Sequence, residues 1–227
     1  MTYVRNFAAE FIGTFALVFV GGGAIMSATA TQMNGGLIAV ALAHGIILAV
    51  MVSALMRISG AQFNPSITLA LLVTRKIGGA LAGVHIAAQI AGATVAAFAL
   101  KMLLPLSLTS ATRLGGQSVS LEVSAGQAIA LEAIATFFLA MVIFGTAVDA
   151  KAPKVAGLAI GATIAADILA FGPFTGASMN PARSFGPALA SGVFEGHVIY
   201  WVGPILGAVV AGLVYDYLYI RREPADR

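Results

Sequence analysis

The sequence predicts an all-α integral membrane protein, six transmembrane helices plus two re-entrant half-helices arranged as an inverted repeat. Three observations carry that prediction. Hydrophobic residues make up 59% of the chain and charged residues only 9%, too few charges to cover a soluble domain of this size. Six apolar runs are long enough to cross a bilayer, whereas two more, each opened by Asn-Pro, are too short. Motifs in the first half of the chain also recur in the second.

The long runs fall at about 6–28, 36–57, 77–101, 124–148, 155–172 and 197–220, each near the ~20 residues a spanning helix needs. The first begins like a signal peptide. It lacks a small-residue cleavage site with polar flanks, carries Glu10 and keeps going, so it reads as a retained span. Segments of period-two alternation are scarce, which favours a helical bundle over a barrel. Glycine is dense at 78–83 and 203–212. Lipid offers little hydrophobic drive between helices, so small residues that let backbones approach do that work. Gly60 and Gly176 are set apart as residues that permit an extended loop before each half-helix. Residues 103–122 form the longest connection, and 221–227 a short solvated tail.

Basic residues orient the chain. Arg5, Arg57, Arg75, Lys76, Lys151, Lys154, Arg221, Arg222 and Arg227 share the side that holds both termini, with Lys101 and Arg113 opposite and Arg183 inside the second short segment. This bias places both termini in the cytoplasm, with the plasma (inner cell) membrane as the expected location. A net charge of +3 spread over span ends is loop bias and does not indicate nucleic-acid binding. With no cysteine there is no disulfide framework, thiolate chemistry or cysteine metal site.

The repeat is legible in detail. Ala9-Glu10-Phe11-Ile12-Gly13-Thr14 matches Leu131-Glu132-Ala133-Ile134-Ala135-Thr136, and Gln89 to Gly92 resembles Pro204 to Gly207. Three crossings per half invert the second half relative to the first, giving repeats of about 1–102 and 123–222 within one domain over 1–227. The half-helices, at roughly 10 to 15 residues, then enter from opposite faces and meet at mid-membrane. Their motifs are Asn64-Pro65-Ser66 and Asn180-Pro181-Ala182-Arg183, each four residues after a glycine. Asn can cap a helix and Pro suits its first position.

Two such motifs in register after Gly-Ala, inside an inverted repeat, resemble those of the aquaporin (major intrinsic protein) family, and the likeness covers essentially the whole chain. Ser66 departs from the family pattern, where Ala is commonest. The resemblance implies an aquaporin-like channel with no cofactor and no metal, in which Asn64 and Asn180 meet at the centre of a narrow pore. Their amide donors and the positive half-helix ends would turn a water's oxygen inward and disfavour cations. Backbone carbonyls of Gly60, Ala61, Gln62, Gly176, Ala177 and Ser178 would supply acceptors. The family's selectivity filter maps onto His44, Ile168, Ala177 and Arg183, a set that resembles plant tonoplast aquaporins, some of which pass ammonia. A neutral His44 imidazole would exchange hydrogen bonds with ammonia as readily as with water. Glu10 and Glu132 are implied to be structural acids that bind donors of the re-entrant loops. A homotetramer is the family expectation, and the partners are water, small neutral solutes and the lipid bilayer, with no nucleic acid.

Other residues are weighed on their own terms. His85 and His197 read as helix-contact or interface residues, since no second metal ligand lies at helical spacing. Asp167 precedes a filter position and is expected to pair with Arg113, His44 or Arg183, or to stay neutral against a neighbouring helix. Ser184, where glycerol facilitators typically carry Asp, speaks against glycerol, as do Ala188 and Tyr200-Trp201. That facilitator is the alternative function. A secondary transporter is a more distant one, because Asn64 and Asn180 are neutral and offer no coupling group. No nucleophile elbow, zinc-helix motif or phosphate loop supports an enzyme.

Overall fold

The computed structural model describes residues 2–151 and 153–220. Helix α1 runs Thr2–Ala30, α2 Gly36–Ser59, α3 Pro65–Val73, α4 Gly79–Leu103 and α5 Leu106–Ala111, and a 3-10 turn follows at Arg113–Gly115. Helix α6 covers Ala125–Ile143 and continues as a π turn through Val148, α7 covers Ala156–Thr175 and α8 Pro181–Ser191. Helix α9 spans Ile199–Tyr215 and also ends in a π turn, at Ile220. Arg221, Arg222, Arg227 and the predicted solvated tail lie outside the described residues.

Six of these helices are long and apolar enough to cross a membrane. They are apolar all round, and side chains such as Ile46, Leu158 and Met102 stand on the outside of the bundle. An outward apolar surface of this kind suits lipid, and helices satisfy their own backbone groups there. Among the described helices α3, α5 and α8 fall short of a crossing, and α3 and α8, at 9 and 11 residues, are the two that the Asn-Pro motifs open. The first is shorter than the sequence-based range, because Thr74 caps it and Arg75 turns the chain with φ 61°.

Helix contacts repeat with two-fold logic. α1 packs on α4 as α6 packs on α9, α1 on α2 as α6 on α7, and α3 on α9 as α8 on α4, while α2 and α7 meet across the axis. Backbones touch where glycines allow it. A Cβ on Gly92 would collide with the Phe11 carbonyl, and one on Gly207 with that of Ala133, at matching places in the two halves. Gly45 and Gly161 face each other in the same way between α2 and α7. Such approaches replace the missing hydrophobic drive with van der Waals contact. The connection from 104 to 124 carries helical turns of its own. Pro105 opens α5, Leu114 is buried, and Ser120 N donates to Phe174 O at 2.9 Å, folding the segment back over the bundle.

Candidate functional site

Both Asn-Pro motifs adopt one geometry. Asn64 and Asn180 each have φ −154°, and their Oδ1 atoms accept from Ser66 N at 2.9 Å and from Ala182 N at 3.0 Å. Pro65 and Pro181 occupy the first helical turn, where a missing N–H costs nothing. The amide nitrogens reach across the axis. Asn64 Nδ2 donates to Met179 O at 2.7 Å and Asn180 Nδ2 to Phe63 O at 2.8 Å. An amide nitrogen carries two hydrogens, so one N–H from each Asn remains, and both residues line the same cavity.

A buried carboxylate holds each loop. Glu10 Oε1 accepts from Ser59 Oγ at 2.6 Å and Gln62 N at 3.0 Å, and Oε2 accepts from Phe63 N and Gln89 Nε2, both at 2.7 Å. Glu132 Oε1 accepts from Thr175 Oγ1 at 2.7 Å and Ser178 N at 2.9 Å, and Oε2 from Met179 N at 2.7 Å. Hydrogen bonds to a charged acceptor are strong, and here they use donors that a helical loop end would otherwise leave unmet. Gly60 and Gly176, at φ 85° and 80°, end the preceding helices in left-handed backbone. Ala61, Phe63, Ala177 and Met179 also have positive φ, an unfavourable state for residues with a Cβ that the carboxylate bonds hold in place.

The cavity between the loops is narrow. It has a volume of about 20 Å³, room for one or two waters where each needs roughly 10–15 Å³. Leu17, Leu48, Val52, Leu139 and Ile164 form its apolar wall. On the side of the termini, Ala61, Gln62, Ile67, Ile143 and Ile160 join it to a vestibule of about 420 Å³ that Lys76 also lines. Lys76 Nζ lies 2.9 Å from Asp216. At the other end Arg183 borders a second vestibule, of about 300 Å³, lined by Gln117, Ser118, Pro173 and Gly176.

His44, Ile168, Ala177 and Arg183 come together where the narrow cavity meets that second vestibule. All four are buried, Arg183 at 6% exposed. Arg183 Nη2 donates to His44 Nε2 at 2.9 Å, and His44 Nδ1 donates to Val40 O at 2.8 Å. A guanidinium has no acceptor, so His44 is the neutral Nδ1–H tautomer with both nitrogens engaged. The expectation that this ring trades hydrogen bonds with a permeant is therefore corrected. Nη1 of Arg183 has no protein partner.

The other residues expected along the pore lie beside the same cavities. Gly60 and Gly176 line the two vestibules, and Ala61, Gln62, Phe63, Ala177, Ser178 and Met179 line the narrow part. The Phe63 and Met179 carbonyls, next in line, are taken by the Asn amides. Asp167 pairs with none of its three expected partners. Arg113 is turned outward to Glu195 at 3.7 Å, and His44 and Arg183 face each other. Asp167 is 6% exposed, and its Oδ2 has no partner. Ser66 fits its small site with a buried, unpartnered hydroxyl. His197 accepts from Trp201 Nε1 at 3.1 Å beside Phe185 and Phe194, and burial lowers its pKa. Among the described residues no group of three His, Asp or Glu could hold a metal.

Three polar side chains escaped sequence reasoning. Gln62 was expected to contribute only its backbone, yet the residue lines both the narrow cavity and the first vestibule, and its Nε2 lies beside Gly60 of that vestibule. His85 joins it in a hydrogen-bonded chain. Gln117 presses against Gly176 from the outer connection. Loop and span residues of these types carry no positional signal until the chain is folded.

Comparisons with known proteins agree with this geometry. A family model described as major intrinsic protein matches residues 1–215. Aquaporin TIP4-4 of Zea mays is 41% identical, the match covering 99% of this chain and 91% of that protein. Aquaporin TIP1-2 of Zea mays is 43% identical over 95% and 86%, and aquaporin TIP2-1 of Arabidopsis thaliana 40% over 96% and 88%. Among solved structures, the aquaglyceroporin from Plasmodium falciparum superposes with a TM-score of 0.84 at 27% identity, covering 95% of this chain and 96% of that one.

Proposed function

Because the chain belongs to the major intrinsic protein family, and so is a multi-pass membrane channel and no enzyme, we propose that it conducts water passively, passes ammonia beside it, and rejects protons and ions. The observation that carries this reading is the pair of Asn side chains facing one narrow cavity between two vestibules.

Water crossing the cavity meets an apolar wall and a few fixed donors: the Arg183 guanidinium and the spare N–H of Asn180 and Asn64. The half-helices α3 and α8 both begin at this point and bring about +0.5 of a charge each. A water there accepts from the Asn pair, so its hydrogens point away and it cannot relay a proton along the file. Cations meet the same positive ends plus the Arg183 guanidinium. Ammonia, with one lone pair, needs a single donor and finds apolar Ile168 and Ala177 beside it. Arg183 supplies that donor while its charge disfavours ammonium.

Glycerol facilitation is the second reading, supported by the fold likeness to an aquaglyceroporin. Ser184 and the small cavity weigh against it. Assembly as a homotetramer, and both termini on the cytoplasmic side, complete the proposal. The matched relatives are tonoplast-type plant aquaporins, so the plasma membrane expected from sequence has no support among them. Stopped-flow light scattering on proteoliposomes, comparing osmotic shrinkage with ammonia and glycerol uptake, tests the function. Shrinkage no faster than that of empty liposomes overturns it.

A further inference from the structure

His85 is fully buried in α4. Its Nδ1 lies 3.0 Å from Gln62 Oε1 and its Nε2 3.2 Å from Asn6 Oδ1. Both partners are oxygens in this arrangement. Asn6 is fixed in that sense, because its Nδ2 donates to Thr2 O at 2.9 Å. Gln62 Oε1 also accepts from Thr68 Oγ1 at 2.6 Å. Two acceptors require two ring donors, and an imidazole has two only when it is protonated. The charged side chain acting on it is the Glu10 carboxylate of α1, while Thr68 of α3 and Gln89 of α4 are neutral members of the same network.

A neutral His85 has one simple alternative. Turning the Gln62 amide by half a turn places Nε2 where Oε1 was. Nε2 then donates to His85 Nδ1 and toward Thr68 Oγ1, which can still donate to Asn64 O, 3.1 Å away. The ring keeps one proton, on Nε2, for Asn6. Both arrangements satisfy the buried groups, but they present opposite ends of Gln62 to the junction of the narrow cavity and the first vestibule. With His85 charged, the free Nε2 extends the run of donors formed by Arg183, Asn180 and Asn64. With His85 neutral, Oε1 interrupts that run with an acceptor.

We propose that His85 is a positioning residue that decides whether Gln62 offers a donor or an acceptor to the permeant, and thereby sets the preference between ammonia and water. An acceptor at the inner mouth suits ammonia, which has three N–H and one lone pair, more than water, which is balanced. The inference rests on the pore reading above. Acid on the inner side favours the donor face, and alkali the acceptor face.

The test uses the full chain in proteoliposomes with 15N-labelled histidine, followed by solid-state NMR from about pH 5 to about pH 8. His85 is expected to pass from two protonated ring nitrogens to one, on Nε2, while His44 keeps its single proton on Nδ1 throughout. Over the same range, the ratio of ammonia to water permeability, corrected for the ammonia fraction, should rise with pH in the wild type and become flat in His85→Phe. A single protonation state of His85 across the range overturns the proposal, as does a wild-type ratio that follows the variant's. No conduction at any pH overturns both readings, whereas conduction without the His85 transition overturns this one alone.

Discussion

Arg183 and His44 hold each other across the outer end of the narrow cavity, the guanidinium Nη2 donating to the imidazole Nε2 at 2.9 Å. The pair leaves His44 no free nitrogen and leaves Arg183 Nη1 buried without a protein partner. Selectivity at this level then rests on a single cationic donor and the width around it. His44→Phe removes the acceptor that steadies Arg183, and Ile168→His supplies another on the facing wall. The double variant should lose several-fold in ammonia uptake while osmotic water flow stays near wild type. Equal ammonia uptake in the two proteins would dismiss these residues as the determinants.

Removing the charge itself should open the pore to ions. A cation about 4 Å from a fixed positive charge meets roughly 4 kcal/mol at an effective dielectric near 20. Arg183→Val should therefore raise proton or small-cation leak by about tenfold or more, read as dissipation of a pH gradient in proteoliposomes. A leak at the wild-type background would remove Arg183 from the filter.

Glu132 serves the second loop through two backbone N–H groups and Thr175. Glu132→Gln turns one acceptor into an NH2 that faces donors. A loss of about 3 kcal/mol in stability follows from the hydrogen bonds to charge that disappear, together with a fall in water flow. Thermal denaturation in detergent measures the first effect. An unshifted melting temperature would mean that the carboxylate is dispensable to the loop.

The close helix contacts predict a steric effect of their own. Gly207→Val puts a branched side chain against the Ala133 carbonyl, and overfilling of this kind costs about 1–3 kcal/mol or more. Gly83, with open space around its added Cβ, is the control, and Gly83→Ala should leave the melting temperature nearly unchanged. Equal shifts in the two variants would refute the contact argument.

A chain with no cysteine offers mercurials no thiol. Water flow should resist them, while Ala177→Cys should become sensitive because Ala177 lines the narrow cavity. Block of the wild type at low dose would show that inhibition acts elsewhere.

Much of this was legible in the chain because hydropathy and inversion are one-dimensional signals. The six spans, Glu10 with Glu132 and the paired Asn-Pro motifs all leave a mark at fixed spacing, and the helix ends fall within a few residues of where the apolar runs stop. The orientation of a side chain leaves none. Whether Asp167 met Arg113 depended on a 3-10 turn that aims the arginine outward, and whether His44 was free depended on a guanidinium 139 positions away. Gln62 and His85 are ordinary polar residues until two separate segments bring them to 3.0 Å.

The crossed amides have a consequence for how the molecule is made. Asn64 needs the carbonyl of Met179, 115 residues later, and Asn180 needs that of Phe63, 117 residues earlier. During synthesis the first re-entrant loop leaves the ribosome with no counterpart to receive its amide, and its capped helix is too short to stand across the bilayer by itself. It must wait, wet or mispaired, until the second loop inserts. Neither half can rehearse the finished centre alone, so the centre closes as a late step of biogenesis.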